Sequence, residues 1–161
     1  MANVLVAYFS ATGRTKAAAT RLAAVSGADI YEIVPAEPYT EDDLNWRDFN
    51  SRSSVEMKKN PDFRPAIGSE KVADMDKYDT IFLLYPIWWY RCPTIVNSFV
   101  ESYDMSGKTI VLYATSGSSG LGSSVEVLKG SAPGADIVEG SMLNKINSDD
   151  ELKGLVEKYL C

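Results

Sequence analysis

Hydrophobic and polar positions alternate along this chain on two different periods. Asn3 to Phe9 is a short, unbroken apolar run rich in valine and aromatics, the pattern of a strand buried on both faces. It stops at Ser-Ala-Thr-Gly, after which Thr15 to Val25 carries alanines and a leucine with Lys16 and Arg21, and Gly27 stands where a helix ends. Asp29 to Val34, Tyr78 to Tyr85, Lys108 to Thr115 and a stretch around Ala135 to Val138 predict four more short strands. Between them, Pro93 to Tyr103 sets Ile95, Val96, Phe99 and Val100 on one stripe at helical spacing, with Pro93 suited to a first turn. A further helix is expected from about Leu121 to Gly130. The last begins at Ser148, whose spacing to Glu151 matches a capping box ahead of Leu152, Leu155, Val156 and Leu160.

Strands that alternate with helices through short turns predict a parallel sheet covered on both faces. Five strands fit a chain of 161 residues, about the length of one domain, so residues 1–161 read as a single α/β unit. The connection from Ala36 to Asp76 breaks the rhythm with about forty polar, charged and proline-punctuated residues. Connections that long usually have helices of their own or a role. Leu44, Trp46, Phe49, Val55 and Met57 could seat one or two helical turns on the sheet, at irregular spacing.

Composition narrows the chemistry. There is no histidine, so imidazole-ligated metal sites, a Ser-His-Asp triad and a Cys-His pair are closed off. Cys92 and Cys161 are too few and too far apart for a disulfide framework and read as reduced thiols in a cytoplasmic setting. A formal charge of −6 gives no electrostatic case for nucleic acid or an anionic membrane surface, and favours basic partners. The apolar run at the N-terminus breaks at Ser10, short of the roughly 20 residues of a membrane helix, and shows no export or anchoring signal.

In open parallel sheets ligands sit beyond the carboxyl ends of the strands, and three such ends are unusual here. Ser10-Ala11-Thr12-Gly13-Arg14-Thr15 offers hydroxyls, a permissive glycine and the free amides of a helix start, which suit an anionic phosphate. The plainer alternative is a helix cap at Ser10 or Thr12 with no ligand. The loop is not a Walker sequence, because GxxxxGK[ST] is absent. Tyr85-Pro86-Ile87-Trp88-Trp89-Tyr90 follows the third strand. Adjacent residues of an extended segment point opposite ways, so one of the two tryptophans should face the crevice and offer a stacking surface to a planar ligand, with core packing as the alternative. Thr115-Ser116-Gly117-Ser118-Ser119-Gly120 follows the fourth strand and continues to Ser124 almost entirely in Gly and Ser. Side chains this small let backbone approach a ligand closely, unless the segment is merely a flexible turn. The weight lies in the coincidence of all three at one sheet edge.

At these loops the sequence resembles the flavodoxin family, and the likeness covers essentially the whole chain. FSATGRTK is similar to the family's [ST]-x-T-G-x-T phosphate loop, YPIWWY to its YPIWWG segment and TSGSSGLGSS to its third flavin-contacting loop. The resemblance implies a flavodoxin-like, doubly wound three-layer sandwich with strand order 2-1-3-4-5, and noncovalent FMN. By position, Ser10, Thr12, Gly13, Arg14 and Thr15 would hold the phosphate. Pro86, Ile87, Trp88, Trp89 and Tyr90 would border the flavin ring, and Thr115, Ser116, Gly117, Ser119 and Gly120 would line its other edge. Arg14 stands where the family often has Asn or another small polar residue, and either adds a cation to the phosphate or projects into solvent. Tyr90 replaces a glycine, and would be strained if that position required positive φ.

Two activities follow from the resemblance. One is an electron carrier, in which the flavin does the redox chemistry and the protein supplies position and electrostatics. A net-negative, aromatic site disfavours the negative charge that reduction places on a flavin, so a low potential is expected, with basic redox proteins as partners and a monomeric chain. The other is an FMN-dependent NAD(P)H:quinone-type reductase, although no GxGxxG nicotinamide fingerprint follows a strand. A phospho-acceptor domain fits poorly, because the first and third strands end in Ser10 and Tyr85 rather than in clustered acids. No catalytic residue and no metal site is expected. Tyr39 is a candidate for reaching the cofactor from the long connection, and Cys92 reads as a buried or helix-start thiol.

Overall fold

The computed structural model describes residues 3–11, 13–45, 47–60, 63–88, 91–115, 122, 124–143 and 148–159. Five strands, β1 (Val4–Tyr8), β2 (Asp29–Glu32), β3 (Thr80–Pro86), β4 (Thr109–Thr115) and β5 (Asp136–Met142), form one sheet of order β2-β1-β3-β4-β5. Every neighbouring pair is parallel. The helices are α1 (Arg14–Ser26), α2 (Arg52–Ser54), α3 (Thr94–Glu101), α4 (Ser124–Ser131) and α5 (Asp149–Val156). The expected doubly wound sandwich is the fold.

The central strands are buried on both faces because their side chains feed two cores. Leu5, Ala7, Ile81, Leu83, Ile110 and Leu112 meet α3 and α4 on one side. Val4, Val6, Phe82, Leu84 and Val111 meet Ala19, Leu22 and Ala23 of α1 and Leu152 and Val156 of α5 on the other. This is why β1, β3 and β4 read as continuous apolar runs rather than alternating ones.

Several boundaries move, each for a local reason. The helix cap is Gly13, not Ser10 or Thr12: Gly13 sits at φ 93°, and no side chain caps α1. Thr12 lies outside the described residues. Pro93 is the residue before α3 rather than part of its first turn. Ser148 does cap α5, its Oγ accepting from the Glu151 amide at 3.2 Å. β5 runs to Met142, past Val138, with a register shift opposite Leu112 and Tyr113.

The long connection forms the expected helical turns, which include Val55 and Met57, and then folds back on itself. It leaves β2, turns through α2 into a π-helical Val55–Lys59, and returns antiparallel to its own start. The Ala36 amide donates to Ala66 O at 2.9 Å and the Gly68 amide to Val34 O at 2.7 Å. Of the apolar residues expected to anchor it, Met57 is buried, whereas Phe49 is 63% exposed and Trp46 is outside the described residues.

Candidate functional site

The parallel sheet delivers the ends of β1, β3 and β4 to one edge, and a single residue ties the three segments together there. Thr115, the last residue of β4, is buried. Its hydroxyl is bonded to that of Thr15 in the first turn of α1 at 2.8 Å. Its carbonyl accepts from the Ile87 amide, just beyond β3, at 3.0 Å. Pro86 pairs with Thr115 in register. The phosphate-loop candidate, the aromatic segment and the start of the small-residue loop are therefore fixed relative to one another, not merely near in topology.

The first segment has the geometry of an anion cradle. At φ 93° Gly13 adopts a left-handed conformation that other residues rarely take, and a Cβ built on it meets nothing within 4 Å. The Gly13 amide donates to Ser10 Oγ at 3.0 Å, which leaves the Ser10 hydroxyl proton available to an incoming acceptor. No acidic side chain occupies the first turn of this thirteen-residue helix, which leaves its positive end unopposed from within the helix. Arg14 is exposed at the first helical position.

Trp88 is half-buried and supplies an aromatic wall. It meets Phe9, at the end of β1, edge to face at 5.6 Å, and Tyr39 of the long connection at 5.3 Å. Phe9 and Tyr39 close the triangle at 5.7 Å. Trp88 and Arg91 exchange both backbone hydrogen bonds, at 3.0 and 3.3 Å. Trp89, Tyr90, Ser116, Gly117, Ser119 and Gly120 lie outside the described residues.

Two buried networks hold the aromatic segment from behind. Arg91 donates through Nε to Cys92 O at 2.8 Å and through Nη2 to Asn97 Oδ1. Asn97, 1% exposed on α3, donates in turn to Ser131 Oγ of α4 at 2.8 Å. On the other side Tyr39 Oη donates to Glu56 Oε1 at 2.5 Å, and Arg52 Nε donates to Glu56 Oε2 at 3.0 Å. Burial first, and the hydrogen bond to Glu56 second, hold the Tyr39 phenol protonated well above its ordinary range. Cys92 is fully buried, and burial pushes its thiol up to about 11 against the opposing pull of Arg91, which disfavours the thiolate.

Sequence reasoning named Tyr39 but not Phe9, Arg52 with Glu56, or Asn97. Arg52 and Glu56 are spaced i, i+4 and could have been paired on that ground. Among the described residues no group of acids and cysteines could hold a metal ion.

The shared hydroxyl bond gives a direct stability test. Thr15→Val leaves a buried Thr115 hydroxyl without its partner and is expected to cost about 1–3 kcal/mol in urea unfolding. The double variant Thr15→Val/Thr115→Val removes both groups and should cost less than the sum of the singles, which a four-protein cycle measures.

A sequence model of the flavodoxin family matches residues 3–159, and the chain belongs to that family. Among solved structures, a protein of Bacteroides eggerthii DSM 20697, provisionally assigned as a flavoprotein, is 46% identical with a TM-score of 0.90, over 98% of this chain and 98% of its own. A second provisionally assigned flavoprotein, from Bacteroides uniformis ATCC 8492, is 44% identical with a TM-score of 0.88, over 97% of this chain and 98% of that one. A flavoprotein of Lactobacillus acidophilus NCFM in complex with FMN shares the fold at 19% identity and a TM-score of 0.72, over 96% of this chain and 99% of that one. No curated protein matches.

Proposed function

We propose that this chain binds one FMN noncovalently and carries electrons at low potential between protein partners. The observation that supports this most is the junction at Thr115, which ties the start of α1 to the segment that leads into Trp88. FMN presents a phosphate and a planar ring, and these two features need those two surfaces at a fixed separation. Ser10, Gly13 and Thr15 would hold the phosphate, Trp88 and Ile87 would border the ring, and Thr115 would set the spacing between them. The bound flavin supplies the electron-transfer chemistry. The protein's part is to orient the ring, to keep water from one side of it with Trp88, Phe9 and Tyr39, and to set the surrounding field.

That field is negative. A chain of formal charge −6 disfavours adding negative charge to a ring packed against aromatic side chains, so the last electron should go on below the potential of free FMN. The same charge steers basic redox proteins to this surface. We read the chain as a monomer of the cytoplasm, acting without nucleic acid or membrane. Among the described residues no helix is long and apolar enough to cross a membrane.

Stopped-flow mixing of the photoreduced, FMN-loaded protein with cytochrome c, a basic electron acceptor, tests the reading. Rapid oxidation is expected, slowing by about tenfold or more as ionic strength rises from about 0.01 M to 1 M and the screening length falls from about 30 Å to 3 Å. A salt-independent rate would contradict steering by the acidic surface. A midpoint potential for the last electron at or above that of free FMN would contradict the electrostatic argument.

A further inference from the structure

A cavity of about 560 Å³ opens inside the connection between β2 and β3, and its lining shares no residue with the three strand-end segments. That volume is in the range of small-molecule sites, roughly 300–1,000 Å³. The connection is folded around it. Ala36 on the outgoing stretch and Ala66 on the returning one form one wall, clamped by their backbone bond at 2.9 Å. The clamp is tight: a Cβ on Gly68 would stand 2.9 Å from Ala36 Cα, so glycine lets the two stretches close. Val55 and Glu56, from the π-helical turn, and Phe63 supply other walls. π-helical turns are rare and frequently accompany functional sites.

The polar groups at this cavity are Arg52, the carboxylates of Glu56 and Glu37, and Asn60, and Asp43 stands 4.0 Å from Arg52 Nη1. Glu56 is 4% exposed, and both of its carboxylate oxygens are occupied, by Tyr39 Oη and Arg52 Nε. Arg52 spends Nη1 on Glu37 O at 2.6 Å, and its Nη2 has no partner among the described residues. The cavity therefore combines apolar walls with a guanidinium edge whose charge is more than matched by the carboxylates around it. An anion at that edge would meet the carboxylates of Glu56, Glu37 and Asp43. A cation would face Arg52. A neutral molecule with a hydrogen-bond acceptor incurs neither cost.

We propose that this cavity binds a neutral, largely apolar carbonyl compound, of the aryl ketone or quinone class, whose oxygen accepts from Nη2 of Arg52. The site is separate from the cofactor crevice but in contact with its wall. The Arg52 guanidinium lies 3.9 Å over the Tyr39 ring, and Tyr39 packs on Trp88 at 5.3 Å. The long connection, of which the electron-carrier reading uses only Tyr39, thereby acquires a role as a second binding element beside the flavin segment.

Three probes on one scaffold test the proposal by calorimetry on the FMN-titrated protein: 2-acetylnaphthalene, 2-naphthoate and 2-naphthylmethylammonium. Flavin fluorescence in the same samples reads the cofactor site separately, so loss of FMN binding and loss of cavity binding are distinguishable. The ketone should bind one to one, about tenfold or more tighter than either ion. Arg52→Gln should weaken it about fivefold to tenfold. Ala66→Trp, on a different wall, should weaken it more than about tenfold with FMN affinity unchanged, and it carries the test if Arg52→Gln disturbs the Glu56 cluster. Tighter or equal binding of either ion would overturn the assignment, as would wild-type ketone affinity in Ala66→Trp. Absence of ketone binding up to its solubility limit would overturn it too.

Discussion

Replacing Gly13 with valine should reduce FMN affinity by about a hundredfold, or about 2.7 kcal/mol, and destabilise the apoprotein by about 1–3 kcal/mol. The reason lies in the backbone. At φ 93° and ψ −13° a β-branched side chain collides with its own backbone, and the residue escapes only by moving toward negative φ. That movement breaks the bond from the Gly13 amide to Ser10 Oγ, at 3.0 Å, and the first helical bond from the Ala17 amide to Gly13 O, at 3.1 Å. Both define where the amides at the start of α1 point, and so where a phosphate can sit. Gly13→Asn should lose much less, because asparagine tolerates left-handed backbone. Flavin fluorescence titration and urea unfolding of the two variants separate strain from ligand contact. Equal losses in both would mean that φ at this position is not what matters.

The second large effect is structural. Gly140→Ala should cost about 3 kcal/mol or more and lower the melting temperature by about 6–12 °C. Glu139 pairs with Leu112 and Ser141 pairs with Tyr113, so Gly140 is the extra residue of a bulge between β4 and β5. A Cβ there would stand 2.4 Å from Leu112 O and 2.9 Å from the Tyr113 ring, and the first of these is backbone that cannot swing aside. The damage should reach the site, since Thr115 follows directly on this part of β4. A variant that melts with the wild type would contradict the register described here.

Those two glycines also mark how much of the molecule was legible in its sequence. The buried strands and the two-sided cover were readable because β1, β3 and β4 are apolar without interruption, a pattern that few other arrangements satisfy. β5 was read only to Val138, because Glu139, Gly140 and Ser141 break the apolar run exactly where an edge strand is half-exposed and bulged. The start of α1 could be read two ways for a related reason. Ser10 and Thr12 have the side chains of caps, but the turn is made by a positive φ at Gly13, and backbone conformation outweighed side-chain capping.

The connection was the hardest stretch. Val55 and Met57 lie on the expected helical turns, yet the chain also folds back on itself through the Ala36–Ala66 pairing, a contact thirty residues apart that leaves no local periodicity. Of the candidate site, the segments were visible and their linkage was not. Thr15 and Thr115 are separated by 100 residues, and nothing in either neighbourhood announces a bond between them. Phe9 was hidden in plain view as the last aromatic of a core strand, although its ring packs on both Trp88 and Tyr39.

The central claim is that one crevice holds a phosphate and a planar ring together, and titrating the apoprotein with FMN and with riboflavin tests it most directly. Tryptophan and flavin fluorescence should quench each other at one equivalent of FMN, and riboflavin, which lacks the phosphate, should bind at least about a hundredfold more weakly. Equal affinity for the two flavins would contradict the cradle at Gly13 and Ser10. No quenching with either would contradict the site as a whole.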